Sequence, residues 1–273
     1  MSLQSVWCAV APRVGALTGV LLLALVAGCS STARDEARSR DPQVLYAEAR
    51  ADLDAGSFER AIKGFERVEA LATGTLRGQQ AQLDLAYTYW RTDERAQALS
   101  TLDRFIRLQP SSPAFDYALY LRGIVNFNER LGLLSSLSRQ DLAERDQRAS
   151  RESYQSFKQL VEQFPASRYA DDARARMDYI VNSLAEYEMH VARYYFRRGA
   201  YLAAANRAQQ AVSGFQSSPA AEEALYIMMQ SYERLQLPQL RDGAERVLRQ
   251  NFPTSRFFAQ GLRGRDRAWW QFW

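Results

Sequence analysis

The chain has 273 residues with 35 basic and 31 acidic side chains, a net charge of +4, one histidine and two cysteines. That mild balance, with acidic residues interspersed throughout, leaves no basic stripe on which nucleic acid would bind. Both cysteines, Cys8 and Cys29, lie near the N-terminus, so the rest of the chain has no thiol for a disulfide, a metal or a nucleophile.

Arg13 is the only charge before residue 29, and Val14 to Gly28 is an unbroken run of apolar or small residues. It suits the apolar core of an export signal over residues 1–28 and falls short of the ~20 residues of a membrane-spanning helix. The run ends Leu25-Val26-Ala27-Gly28-Cys29, which resembles the lipobox of bacterial lipoproteins. That resemblance implies cleavage before Cys29 and a covalent lipid on it, with no other cofactor; several acyl chains together anchor far better than one. Ser30 follows, not the Asp that usually retains such proteins in the inner membrane, so the resemblance favours the periplasmic face of the outer membrane. Residues 29–41 then form the lipid attachment point and a small, charged stretch without apolar period, read as a flexible tether reaching at most about 40 Å.

From Pro42 onward the apolar period is helical almost without interruption, with Gly and Pro as punctuation. Gly56-Ser57-Phe58-Glu59-Arg60-Ala61, with Phe65 and Val68, resembles the centre of a tetratricopeptide repeat, a helix-turn-helix of about 34 residues. A second copy has Ala86, Tyr89, Ala98, Leu102, Phe105 and Pro110. A third runs from Tyr117–Asn128 to Phe157, Leu160 and Phe164-Pro165. A fourth carries Ala192, Tyr195, Gly199, Tyr201, Ala204, Ala208 and Ala211. The fifth, from Ala220 to Phe252-Pro253, has Arg241 where a small residue is expected. The reading is an all-α solenoid of about five helix pairs: repeats one to three over 42–168, then one long helix (169–198) and repeats four and five over 169–260. An insertion at 129–148 is expected to end with Asp146 capping the next helix. Residues 261–273 form a basic-aromatic tail, read as a cap on the last repeat ahead of a lipid or partner contact.

Catalysis has little to work with. His190 is solitary and mid-helix, with no second His or Cys to complete a metal site. Glu152-Ser153 resembles the catalytic pair of lytic transglycosylases, but the rest of that signature is missing and an ion pair with a nearby Arg is the better reading. A solenoid offers a concave binding face instead. The usual inward positions fall on Tyr46, Arg50, Tyr87, Trp90, Arg91, Tyr117, Tyr120 and Phe127, which would suit an extended peptide with aromatics and a free carboxylate. Core packing is the competing role for several of them.

Longer strings are more specific. Asp103-Arg104-Phe105-Ile106-Arg107-Leu108-Gln109-Pro110, Asp116-Tyr117-Ala118-Leu119-Tyr120-Leu121-Arg122-Gly123 and Phe164-Pro165-Ala166-Ser167-Arg168-Tyr169 resemble the BamD (ComL) family. So do Arg145-Asp146-Gln147, Leu184-Ala185-Glu186-Tyr187-Glu188, Val191-Ala192-Arg193-Tyr194-Tyr195 and Asn206-Arg207. The resemblance implies a lipoprotein of the outer-membrane β-barrel assembly machinery. Its N-terminal repeats would receive unfolded barrel precursors, its C-terminal repeats would dock on the last POTRA domain of BamA, and BamC and BamE would be further partners. By position, Tyr194, Arg197, Arg198, Asn206 and Arg207 are the expected BamA contact; for Arg207 the competing role is an intrachain ion pair. The rival functions are a cell-division or envelope coordinator and a peptidoglycan lyase, in which Glu152 would be the acid.

Overall fold

The computed structural model describes residues 41–127 and 142–264. The signal, Cys29 and all but the last residue of the tether lie outside them, as do most of the insertion and Arg265 to Trp273 of the tail. The first two helix pairs are α1 (Pro42–Asp54) with α2 (Phe58–Leu71), and α3 (Leu76–Arg91) with α4 (Arg95–Leu108). Next come α5 (Phe115–Asn126), α6 (Leu142–Gln163) and the long α7 (Ala170–Arg197). The last two pairs contain α8 (Tyr201–Gly214), α9 (Ala220–Arg234) and α10 (Pro238–Asn251), followed by α11 (Phe257–Gln260) and a 3-10 turn, Gly261–Gly264. Consecutive helices pack against one another from α1 to α4 and from α6 to α10, as in an all-α solenoid of antiparallel pairs. The chain divides into two compact units at Ala118 and Leu119, inside α5.

One turn recurs four times. Gly56, Asp93, Gly199 and Gln236 all have φ between 57° and 76°, the left-handed region, just after α1, α3, α7 and α9. In each copy two hydrogen bonds close the helix end. Ser57, Glu94, Ala200 and Leu237 donate their N–H to the carbonyls of Asp52, Tyr89, Tyr195 and Tyr232. Gly56, Asp93, Gly199 and Gln236 donate to Leu53, Trp90, Phe196 and Glu233. This is the Schellman arrangement, which satisfies the helix's last carbonyls while reversing the chain. Five residues past it stands a fully buried Ala in three copies, Ala61, Ala98 and Ala204, letting the paired helices approach closely. In the fifth repeat that place is Arg241, which turns outward to Asp242 at 2.6 Å; Ala244 and Leu248 supply the buried contact from the next turns.

A second recurring turn was not read from the sequence. Ser112, Ser167, Ser218 and Ser255 follow α4, α6, α8 and α10, and each hydroxyl accepts a backbone N–H two residues on, from Ala114, Tyr169, Ala220 and Phe257, at 3.2–3.4 Å. The fourth copy starts α11, whose Phe257 stacks on Tyr226 with ring centroids 5.4 Å apart. Leu262 then packs against the core of α7, α8 and α9.

Two expectations need correction. Asp41 belongs to the fold, because its carboxylate accepts the Gln43 N–H at 2.8 Å as the N-cap of α1. Asp146 is no cap: α6 begins four residues earlier, at Leu142, so the last part of the expected insertion 129–148 is helix.

The tight α2–α3 turn yields a prediction. A β-carbon at Gly78 would overlap the Ala72 carbonyl oxygen, whereas one at Gly243 meets nothing within 4 Å. Gly78→Ala is expected to lower stability by about 1–3 kcal/mol and Gly243→Ala to raise it by up to about 1 kcal/mol. Urea unfolding followed by circular dichroism measures both.

Candidate functional site

In the first unit, α1, α3 and the start of α2 enclose a cleft of about 330 Å³ lined by Arg50, Asp54, Phe58, Asp84, Tyr87, Arg91 and Tyr117. Four of the eight groove residues read from the sequence are therefore in its wall. Trp90 joins them through the Tyr87 ring, 5.6 Å away and tilted. Tyr46 lies deeper, its ring against the fully buried Phe65 at 5.8 Å and its hydroxyl donating to Asp84 at 2.6 Å. The two carboxylates, Asp54 and Asp84, were not anticipated. Asp54 sits one turn from Arg50 on the same helix; Asp84 sits 34 residues from it, one repeat period, which places it opposite Arg50 on the next first helix.

Those carboxylates decide which cation is available. Arg50 reaches Asp84 at 3.1 Å and Asp54 at 3.6 Å, so its guanidinium is already held by the protein. Arg91 donates to the Tyr87 hydroxyl at 3.0 Å and lies over the Phe58 and Tyr87 rings at 5.4 and 5.8 Å. Among the described residues no carboxylate pairs with Arg91, and most of its five N–H donors remain for a ligand. The expectation that either arginine would hold a ligand carboxylate is thus narrowed to Arg91.

Burial sets the protonation of the pocket's floor. It raises the Asp84 carboxyl above its ordinary value, although the Tyr46 hydroxyl and the Arg50 charge oppose the shift. Tyr46 is pushed up to about 12 by burial and by its hydrogen bond to Asp84. On the other side of α3, Tyr89 is likewise raised to about 12 by burial and by its 2.9 Å hydrogen bond to Glu66.

Tyr120 and Phe127 fall in the second unit and are engaged there. Tyr120 stacks on Tyr169 at 4.6 Å and donates to Asp172 at 2.8 Å. Phe127 packs edge-on against Tyr179 at 5.6 Å, with Arg176 over its ring at 4.7 Å. Arg176 also holds Asp172 at 2.7 Å. Burial works against the charged Asp172, but the hydrogen bonds from Arg176 and Tyr120 outweigh it and hold the carboxyl below its usual range. These half-buried rings fasten α5 to α6 and α7.

The expected docking residues lie on α7 and α8. Tyr194 is exposed with Arg198 stacked on it at 5.6 Å, and Arg197 and Asn206 are exposed too. Arg207 donates to Glu188 at 3.2 Å and to Gln210 at 3.3 Å, the intrachain pairing weighed against docking. Beneath them Arg193 grips the buried Glu223 of α9 through two hydrogen bonds of 2.6 and 2.9 Å and reaches Glu186 at 2.9 Å. Burial opposes the Arg193 charge, but these carboxylates raise its proton affinity further.

The residues of the rival enzyme are occupied structurally. Ser153 is buried and donates to the Gly123 carbonyl at 2.8 Å, and Glu152 pairs with Arg148 at 2.9 Å. His190 is exposed on α7.

Stacked helix pairs, with a charged, aromatic-walled cleft in the first unit, define a helical repeat scaffold. Comparison with known proteins makes the class specific. The family YfiO, outer membrane lipoprotein, matches residues 38–258. The outer membrane protein assembly factor BamD of Neisseria meningitidis serogroup B (strain ATCC BAA-335 / MC58) is 48% identical over 229 residues, 84% of this chain and 86% of the relative. BamD of Neisseria gonorrhoeae is 42% identical over 262 residues, covering 93% and 98%, and BamD of Vibrio cholerae is 34% identical over 235, covering 86% and 97%. The chain belongs to the BamD family. Its role is in outer membrane protein assembly, it is associated with the outer membrane, and it is an assembly factor, not an enzyme. Among the described residues no helix is long and apolar enough to cross a membrane.

The two raised tyrosines give a pH prediction. Each keeps its proton longer in the folded state, so its contribution to stability is complete below pH 10 and lost as pH rises towards 12. Unfolding measured between pH 10 and 12 should show that decline, and a Tyr46→Phe, Tyr89→Phe chain should show a shallower one, with two fewer late-ionising phenols in the ultraviolet titration.

Proposed function

We propose that this chain is a lipid-anchored receptor and scaffold for barrel precursors. The Arg91 cleft takes the aromatic C-terminal segment of an unfolded precursor, and α7 and α8 dock on the last POTRA domain of BamA, with BamC and BamE as further partners. The observation carrying the first part is the contrast between the two arginines: Arg50 is neutralised by Asp54 and Asp84, while among the described residues Arg91 has no carboxylate within ion-pair distance and meets the Phe58 and Tyr87 rings and the Tyr87 hydroxyl. A chain-terminal carboxylate satisfies the free guanidinium donors, and aromatic side chains pack on Phe58, Tyr87 and Trp90. The covalent lipid on Cys29 keeps the scaffold at the periplasmic face of the outer membrane, where it raises the effective concentration of weakly held partners. For docking, the support is the exposed Tyr194 with its stacked Arg198, two turns from the Arg207–Glu188 pair.

Two measurements test this. Arg91→Ala should weaken binding of a peptide ending in an aromatic residue with a free carboxylate about tenfold or more. Amidating that peptide's C-terminus should cost the wild type as much and Arg91→Ala nothing further; equal loss on amidation in both chains would remove Arg91 from carboxylate recognition. Arg207→Glu should reduce co-purification of BamA while Glu188→Gln leaves it intact. Equal recovery from both variants would reduce Arg207 to an intrachain role.

A further inference from the structure

The first two repeats carry an asymmetry that peptide binding does not use. Their helices run antiparallel, so the N-termini of α1 and α3 and the C-termini of α2 and α4 share one edge. Contacts across it confirm the alignment. Arg77 at the start of α3 lies over the Tyr46 ring of α1 at 4.3 Å. Arg104 of α4 holds Glu69 of α2 at 2.8 Å, and Ser112, just past α4, donates to Gln79 of α3 at 2.7 Å.

Leu71, Leu76 and Leu108 stand on this edge with 48%, 65% and 66% of their surface exposed. Among the described residues of the first unit the only other large hydrophobic so exposed is Trp90, which stacks beside the cleft. The opposite edge, built from the turns at Gly56 and Asp93, carries Asp52, Glu59, Arg60, Asp93 and Glu94 and no exposed leucine. Beside the leucines are Arg67, one turn before Leu71, and Arg107, adjacent to Leu108. Among the described residues neither has a carboxylate partner. Glu69 at this edge is neutralised by Arg104, and Asp41 is engaged with the Gln43 N–H.

The chain's own connectivity says what this edge faces. Pro42, the first residue of α1, opens on it, and Cys29 lies 13 residues upstream. We propose that the Leu71–Leu76–Leu108 edge rests on an anionic phospholipid surface, the leucines in the headgroup layer and Arg67 and Arg107 against lipid phosphates. The inference rests on the anchoring role given to Cys29. The anchor enters the fold at this edge, so the path from lipid to protein meets it first, with the opposite edge a further helix length, about 20 Å, away. Exposed leucines flanked by unpaired arginines match an interface that is apolar below and negatively charged above. Contact along the edge would hold the first two repeats in one orientation, where lipid alone would leave them free to tumble.

The test uses the full lipidated chain in vesicles of phosphatidylethanolamine and phosphatidylglycerol. A photo-crosslinking residue replaces Leu76, Leu108 or, on the opposite edge, Glu59, and flotation of the vesicles reports the anchor separately. The expected result is a floating chain that forms lipid adducts several-fold more often from positions 76 and 108 than from 59. Replacing phosphatidylglycerol by phosphatidylcholine should reduce that excess, as should Arg67→Gln with Arg107→Gln. Equal lipid adducts from both edges, or adducts in isolated outer membranes that go to protein and not to lipid, would overturn the proposal while leaving the anchor standing. A wild-type chain that does not float, or floats as well after Cys29→Ser, would overturn the anchor and with it this orientation.

Discussion

The architecture depends on one backbone requirement: a residue in the left-handed region just after α1, α3, α7 and α9. Four such residues, Gly56, Asp93, Gly199 and Gln236, close the same pair of hydrogen bonds and return the chain antiparallel. Glycine takes that conformation without a β-carbon penalty; Asp93 and Gln236 take it because the two hydrogen bonds and the packing beyond them outweigh a modest local cost. The serine turns between pairs complete the alternation by supplying an acceptor to the start of the next helix. Everything functional follows from this regularity. It puts residues one repeat apart on adjacent helices and collects helix ends of opposite kind on two distinct edges.

Charge distribution then differentiates positions that the repeat makes equivalent. Arg50 and Arg91 both belong to first helices and both reach one cleft, yet among the described residues only Arg50 of the two has carboxylates within ion-pair distance. In the second unit, Arg193 spends its charge on a buried, bidentate hold of Glu223 that ties α7 to α9. Removing one partner of such a pair leaves an uncompensated buried charge, so it acts as a fixed strut behind the more exposed Arg198 and Arg207.

Much of the fold was legible because its signals are local. The Gly and Pro spacing, the aromatic two residues past each Gly, and the small Ala behind it identified helix pairs, and the stretch 169–198 without a breaker gave α7 as one helix, observed over 28 residues. Less was legible where a polar residue does glycine's work, as at Asp93 and Gln236, or where a serine caps a helix from two residues away. Asp146 was misplaced because a capping residue type inside a helix looks the same in one dimension as one at its start. The family strings pointed to the assembly role, since generic repeats share the Ala, Gly and Pro skeleton but not those polar and aromatic runs, and the similarity to BamD proteins shows it.

The groove residues separate what a sequence determines from what tertiary structure decides. The sequence alone determined that aromatic and arginine side chains line the first helices of the repeats, because helical periodicity fixes which face a residue occupies. It did not distinguish Tyr87 and Arg91, in the wall of a cleft, from Tyr120 and Phe127, locked among Tyr169, Phe157 and Tyr179. Nor did it reveal which arginine keeps an unneutralised charge. Both questions depend on neighbours far along the chain, such as Asp84, 34 residues from Arg50, and Asp172, 52 residues from Tyr120. Those neighbours come within hydrogen-bonding distance only when whole helices lie side by side.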